Sequence, residues 1–178
     1  MSVDIIVIKL DMYCSIFLDI LFGKMEEHKM TFGQLVVIDG SFVGMMKLEH
    51  FVKGLLNEPD HYKIKKGPDS THFLRFIILD HDADTIRKIF DSAKECKCWV
   101  NSVSIQGNPG NFSRLKKTVL EEACKRIKEL KEQKDMAFQE GANEIVVDTK
   151  KLIDELRTST SAFCGLTGLD IPETATYS

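Results

Sequence analysis

LVVI (residues 35–38), FLRFIIL (73–79) and WVNSVSI (99–105) decide the reading of this chain, because each apolar run stands beside a helical pattern. After the first run come Leu48, Phe51, Val52 and Leu55, then a short extended piece from Tyr62 to Lys65. After the second come Ile86, Ile89, Phe90 and Ala93, and then the alternating segment Trp99 to Ile105. Both stripes recur at i, i+3, i+4, i+7, the spacing of one buried helix face. Residues 35–105 therefore read as one strand–helix–strand unit written twice, the split βαβ layout.

Punctuation supports this division. Pro59 cannot continue the first helix, and Asn57, Glu58 and Asp60 surround it. Lys66, Gly67, Pro68 and Asp69 form a turn between the two inner strands. Asp82 or Asp84 is placed to cap the second helix by accepting from its first backbone N–H groups. The uniform apolar character of Phe73 to Leu79 predicts a strand covered on both faces. The fold class expected is an α+β two-layer sandwich, a ferredoxin-like βαββαβ antiparallel sheet of four strands with an added long C-terminal helix.

That helix follows the boundary Gly107, Asn108, Pro109, Gly110 and runs from about Phe112 to Phe138. Leu115, Val119, Ala123, Ile127 and Leu130 lie along one stripe, to be packed on the sheet or against a partner helix. Gly141 to Asn143 breaks it, and Leu152, Ile153 and Leu156 form a last small face. The expected organisation is an N-terminal extension (1–30), a ferredoxin-like domain (31–107), a helical extension (108–157) and a mobile tail (158–178), where Ser and Thr accumulate. The first 24 residues read either as a strand and helix packed on the domain or as sequence upstream of a true start at Met25 or Met30. Asp4, Lys9, Asp11 and Asp19 interrupt their apolar runs, which argues against a signal peptide or a membrane span.

Composition bounds function. The 178 residues are 43% hydrophobic and 29% charged, with a net charge of −3, suited to a soluble domain with a sizeable core. The near balance of charge and the shortage of Arg argue against nucleic acid, and no RNP-type aromatic pattern appears on the inner strands. Five scattered cysteines fit a reducing, cytoplasmic setting rather than a disulfide framework.

Three clusters carry candidate chemistry. Asp39, Gly40, Ser41 and Gly44 form a loop between the first core strand and its helix, where backbone N–H groups can face an anion. The loop lacks the Lys-Ser/Thr of a P-loop, and a tight turn explains its glycines equally. Lys63 and Lys65 alternate on one strand, to steer an anionic ligand or to solvate a sheet edge. Asp80, His81 and Asp82 could hold a divalent metal or orient the imidazole, although helix capping accounts for the carboxylates.

Over residues 35–105, Val36-Val37-Ile38-Asp39-Gly40-Ser41 and Gly67-Pro68-Asp69-Ser70 leading into Phe73 to Leu79 resemble the small ferredoxin-like regulatory modules of ACT type. The resemblance extends more faintly to the module fused to ornithine-cyclodeaminase-like and saccharopine-dehydrogenase-like enzymes. It implies small-ligand sensing and association through sheet edges or faces, and brings no catalytic residue. With no coherent nucleophile–base pair in the sequence, the expectation is a non-catalytic module sensing a small anionic or amino-acid-like metabolite as a homo-oligomer. Two alternatives stand beside it: a metal-dependent enzyme using Asp80-His81-Asp82, and a protein–protein adaptor acting through the long charged helix. No particular cofactor is implied.

Overall fold

The computed structural model describes residues 4–28, 30–39, 42–56, 63–66, 72–77 and 83–176. In chain order the elements are β1 (Asp4–Lys9), a 3-10 turn (Leu10–Met12), α1 (Ser15–Glu27), β2 (Thr31–Asp39), α2 (Phe42–Leu56), β3 (Lys63–Lys66) and β4 (His72–Ile77). Then follow α3 (Ala83–Glu95), β5 (Trp99–Gly107), α4 (Pro109–Gln139), α5 (Asn143–Thr167) and a 3-10 turn (Glu173–Ala175). They form two compact units, one of Met1–Leu10 with Met25–Ser113 and one of Asp11–Lys24 with Arg114–Ser178.

The first unit is built on a five-stranded sheet in the order β1-β5-β2-β4-β3, with every neighbouring pair antiparallel. The register between β2 and β5 shifts twice, leaving Gly33 and Asn101 as extra residues at bulges. Ile6 aligns with Ile105 and Ile8 with Val103, so these four share one face by strand periodicity. Ile8, Val103 and Ile105 are buried there, whereas Val7, on the opposite face, is exposed. Helix α2 contributes Met45, Leu48 and Val52 to the core, and α3 contributes Ile89 and Ala93. Phe51, expected in the buried stripe of α2, is exposed instead. At one end of the sheet the Met30 side chain is buried against Gly107, where a Cβ would force it to move.

The second unit is helical. Its core is made by Tyr13, Phe17, Leu18, Leu21 and Phe22 from the 11–24 segment, the stripe Leu115, Val119, Ala123, Ile127 and Leu130 of α4, and Ile153, Leu156, Phe163 and Cys164 of α5. The Phe17 ring meets Phe163 at 5.3 Å and stacks on Tyr13 at 5.2 Å. The Cys14 N–H donates to Ser159 Oγ at 2.8 Å, tying the turn before α1 to α5. No helix among the described residues is long and apolar enough to cross a membrane.

This architecture corrects the fold class read from sequence. A four-stranded, ferredoxin-like two-layer sandwich of ACT type with one added helix does not describe the chain. The sheet has a fifth strand, because Asp4–Lys9, assigned to an N-terminal extension, pairs along β5. Helix outweighs sheet: α4 and α5 have 31 and 25 residues, while no strand exceeds 9. From Arg114 onward α4 belongs to the helical unit and not to the sheet unit. Nor do the boundaries at 30, 107 and 157 divide the molecule. Residues 158–167, read as the start of a mobile tail, continue α5 and bury Ser159, Thr160, Phe163 and Cys164.

Candidate functional site

Two places gather the residues of interest. The first is one end of the sheet. The register aligns Asp39 with His72 and His72 with Lys66, so the last residue of β2, the first of β4 and the last of β3 form one row. In the next row Ile38 aligns with Phe73 and Trp99, and Phe73 with Lys65. Lys63 lies two rows further along, opposite Arg75. Helix α2 begins at Phe42, three residues beyond Asp39, and its N-terminal end carries the positive pole of the helix dipole. Gly44 is in the first turn of α2 and is buried. The structure thus sets Asp39, His72 and Lys66 in one row near the start of α2, while Lys65 falls in the next row, of opposite alternation, and Lys63 two rows beyond that. Gly40, Ser41, Asp80, His81 and Asp82 lie outside the described residues, as does His61.

The second place is the turn between α4 and α5, which sequence reasoning missed. Gly141, at φ 74°, ends α4 in a left-handed cap. Its N–H donates to Phe138 O at 3.1 Å and that of Ala142 to Ala137 O at 2.9 Å, satisfying carbonyls the helix would otherwise leave open. Helix α5 starts two residues later, and Glu144 in its first turn complements the dipole. The turn folds the two helices into an antiparallel hairpin whose end carries large apolar side chains in solvent. Phe138 is 72% exposed and Val147 67%, with Met136 and Ile145 each more than half exposed. The signal was in the sequence: the α4 stripe continues through Leu130 to the buried Ala137, and Met136 and Phe138 fall on either side of it.

Around this apolar end an acidic stretch lies between Lys134 and Lys150. Residues 135–148 hold Asp135, Glu140, Glu144 and Asp148 and no Lys or Arg, whereas Lys150 and Lys151 follow at once. Asn143, Glu144, Val147 and Asp148 line an open groove of about 350 Å³. A second open groove of about 340 Å³ lies where Asp11 to Cys14 meet Asp154, Glu155, Thr158 and Ser159 of α5. It holds three carboxylates, yet among the described residues no three His, Cys, Asp or Glu side chains are placed to hold a metal ion.

Four threonine hydroxyls in the Ser/Thr-rich sequence of α5 find acceptors within the helix itself. Thr149 donates to Ile145 O at 2.6 Å, Thr158 to Asp154 O at 2.9 Å, Thr160 to Leu156 O at 2.7 Å and Thr167 to Phe163 O at 2.7 Å. Arg157 Nε reaches Thr174 O at 3.4 Å and fastens the following 3-10 turn. Burial pushes the Cys164 thiol above its ordinary value, with Cys124 and Asp170 adding to the shift. Burial likewise raises Cys124, partly opposed by Lys128. None of the five cysteines, all of them described, is in a disulfide.

No family model matches the chain, and no curated protein and no solved structure matches it.

Proposed function

We propose that this protein is a non-catalytic interaction module, an adaptor that docks through the end of the α4–α5 hairpin. The observation that carries the reading is that Met136, Phe138, Ile145 and Val147, each more than half exposed, fall within twelve residues around one helical turn-back. Exposed large side chains scattered singly are ordinary, but four of them within twelve residues around one helix turn-back offer apolar surface for an interface. The neighbouring carboxylates supply a charged rim. Work in the cytoplasm, as part of a homo-oligomer, belongs to this reading. A photo-crosslinking amino acid at position 147, with a control at the exposed Glu121, tests it under native conditions. Crosslinks confined to position 147 support the adaptor; equal yields at both positions, or none at 147, refute it.

A second reading rests on the sheet end: a site for a small anionic or amino-acid-like metabolite. It is favoured by the register that sets Asp39, His72 and Lys66 in one row beside the start of α2. A ligand at 100 times its Kd raises stability by about 2.7 kcal/mol. A thermal-shift panel of amino acids, nucleotides, inorganic phosphate and divalent metals therefore tests it. Stabilisation by an anion that Lys66→Gln abolishes would support it, and a flat panel would remove it. Stabilisation by metal alone, lost in His81→Ala, would point to the metal-dependent enzyme instead.

A further inference from the structure

We propose that the first half of α5, residues 144–152, pairs antiparallel with the same segment of a second copy of this chain. The inference rests on the adaptor reading above and names its partner.

Position on the helix comes first. Ile145 and Leu152 are seven residues apart, two turns of one helix face, and both are exposed. Continuing by seven from Leu152 reaches Ser159, which is buried and accepts the Cys14 N–H. The same face of α5 therefore meets the Asp11–Cys14 turn at the buried Ser159, with Glu155 and Thr158 exposed on the groove beside it, and is open at Ile145, Asp148 and Leu152. The open part already has the side-chain line of a packing face.

Charge then selects the occupant. Along this face Glu144 and Asp148 precede Lys151, with Lys150 beside it. A parallel neighbour of the same sequence would set like charges together, which costs stability. An antiparallel copy reverses the order about a two-fold axis near Asp148. Ile145 then packs on the partner's Leu152, and Leu152 on the partner's Ile145, the self-complementary pattern of an isologous contact. The partner's Lys151 falls on the groove of Glu144, Val147 and Asp148, its aliphatic stem over Val147 and its ammonium between the two carboxylates. Lys151 itself lies three and four residues beyond Asp148 and Val147, on the face that lines the groove, so one two-fold operation satisfies both copies at once.

The experiment is a charge swap in the full chain, read by sedimentation equilibrium. The wild-type protein should reach a mass of two chains, with a dissociation constant that rises with salt. Asp148→Lys alone and Lys151→Glu alone should each weaken the dimer about ten-fold or more, equivalent to ~1.4 kcal/mol. The double variant Asp148→Lys/Lys151→Glu should recover part of that loss, because the 148–151 pair is again complementary across the two-fold axis while Glu144 still faces the new carboxylate. Both positions are exposed, and an unchanged far-UV circular dichroism spectrum, with Tm compared at a concentration where all forms are monomeric, confirms that each variant is folded. A wild-type monomer at hundreds of micromolar, single variants that dimerise normally, or a double variant no better than the singles would each overturn the proposal. A wild-type monomer that still crosslinks another protein through position 147 removes the second copy as partner and leaves the adaptor standing. Absence of any crosslink removes both.

Discussion

Replacing Phe17 by Ala tests whether the N-terminal helix is a genuine part of the helical unit. Phe17 is 0% exposed and lies between Tyr13 and Phe163, the latter 2% exposed. Deleting a fully buried phenylalanine ring costs about 3–5 kcal/mol, the transfer of the ring plus the cavity it leaves. The tilted Phe17–Phe163 pair, at 5.3 Å and 56°, accounts for about 0.5–1.5 kcal/mol of this. A chain of this length loses about 2–4 °C of Tm per kcal/mol, so Phe17→Ala should melt about 6–20 °C lower. Urea unfolding followed by far-UV circular dichroism gives the free energy, since most of the helix lies in this unit. A cycle of Phe17→Leu, Phe163→Leu and the double variant isolates the ring–ring share. A loss below about 1 kcal/mol for Phe17→Ala would refute the packing described here, because it would mean water already reaches the ring.

Three further outcomes follow from local geometry. Ser159→Ala removes the acceptor of the Cys14 N–H and should cost about 1–2 kcal/mol in urea unfolding, the penalty of an unsatisfied half-buried donor; no change would mean that water replaces the hydroxyl. Lys97 holds a left-handed φ of 58° where α3 ends, with Cys98 N–H donating to Ala93 O at 2.8 Å. Glycine is the residue suited to that cap, so Lys97→Gly should stabilise by about 1 kcal/mol, and a lower Tm would contradict the cap. The raised Cys164 thiol makes the folded state hold its proton after the unfolded state has released it. Bound protons then number more in the folded state, and stability falls as pH rises above the ordinary thiol value of about 8.5. Cys164→Ala should flatten that decline, and an unchanged slope would assign it to another group.

Local periodicity made some elements readable and hid others. The buried stripe of α4 follows the 3.6 repeat from Leu115 to Leu130, and every one of those five side chains is buried. The apolar runs at 35–38, 73–77 and 99–105 lie in strands for the same reason. Pairing is a different matter, because nothing in DIIVIK announces that it will lie along residues 102–107. That omission turned five strands into four and made an extension of a structural strand. The run TSTSAF was misread because hydroxyl residues suit loops by composition, while here Thr158 and Thr160 back-bond to the helix and Ser159 turns inward. Of the site, the sequence showed Asp39 and Lys65 but not the row that His72 and Lys66 complete, which only register can supply. Met136 and Phe138 could have been singled out by their absence from the α4 stripe.

The pairing of β1 with β5 sets a timetable for biosynthesis. Asp4 aligns with Gly107 and Lys9 with Ser102, so β1 leaves the ribosome about a hundred residues before the strand it pairs with. At about 5–20 residues per second the interval is roughly 5–20 s, long compared with hairpin formation in microseconds. Throughout it Ile5 to Ile8 is a short, apolar, strand-prone segment with nothing yet made to pair with, the kind that seeks strands on other chains. Asp4 and Lys9 bracket it with one charge of each sign, in the position where charged gatekeepers restrain such association until the native partner arrives.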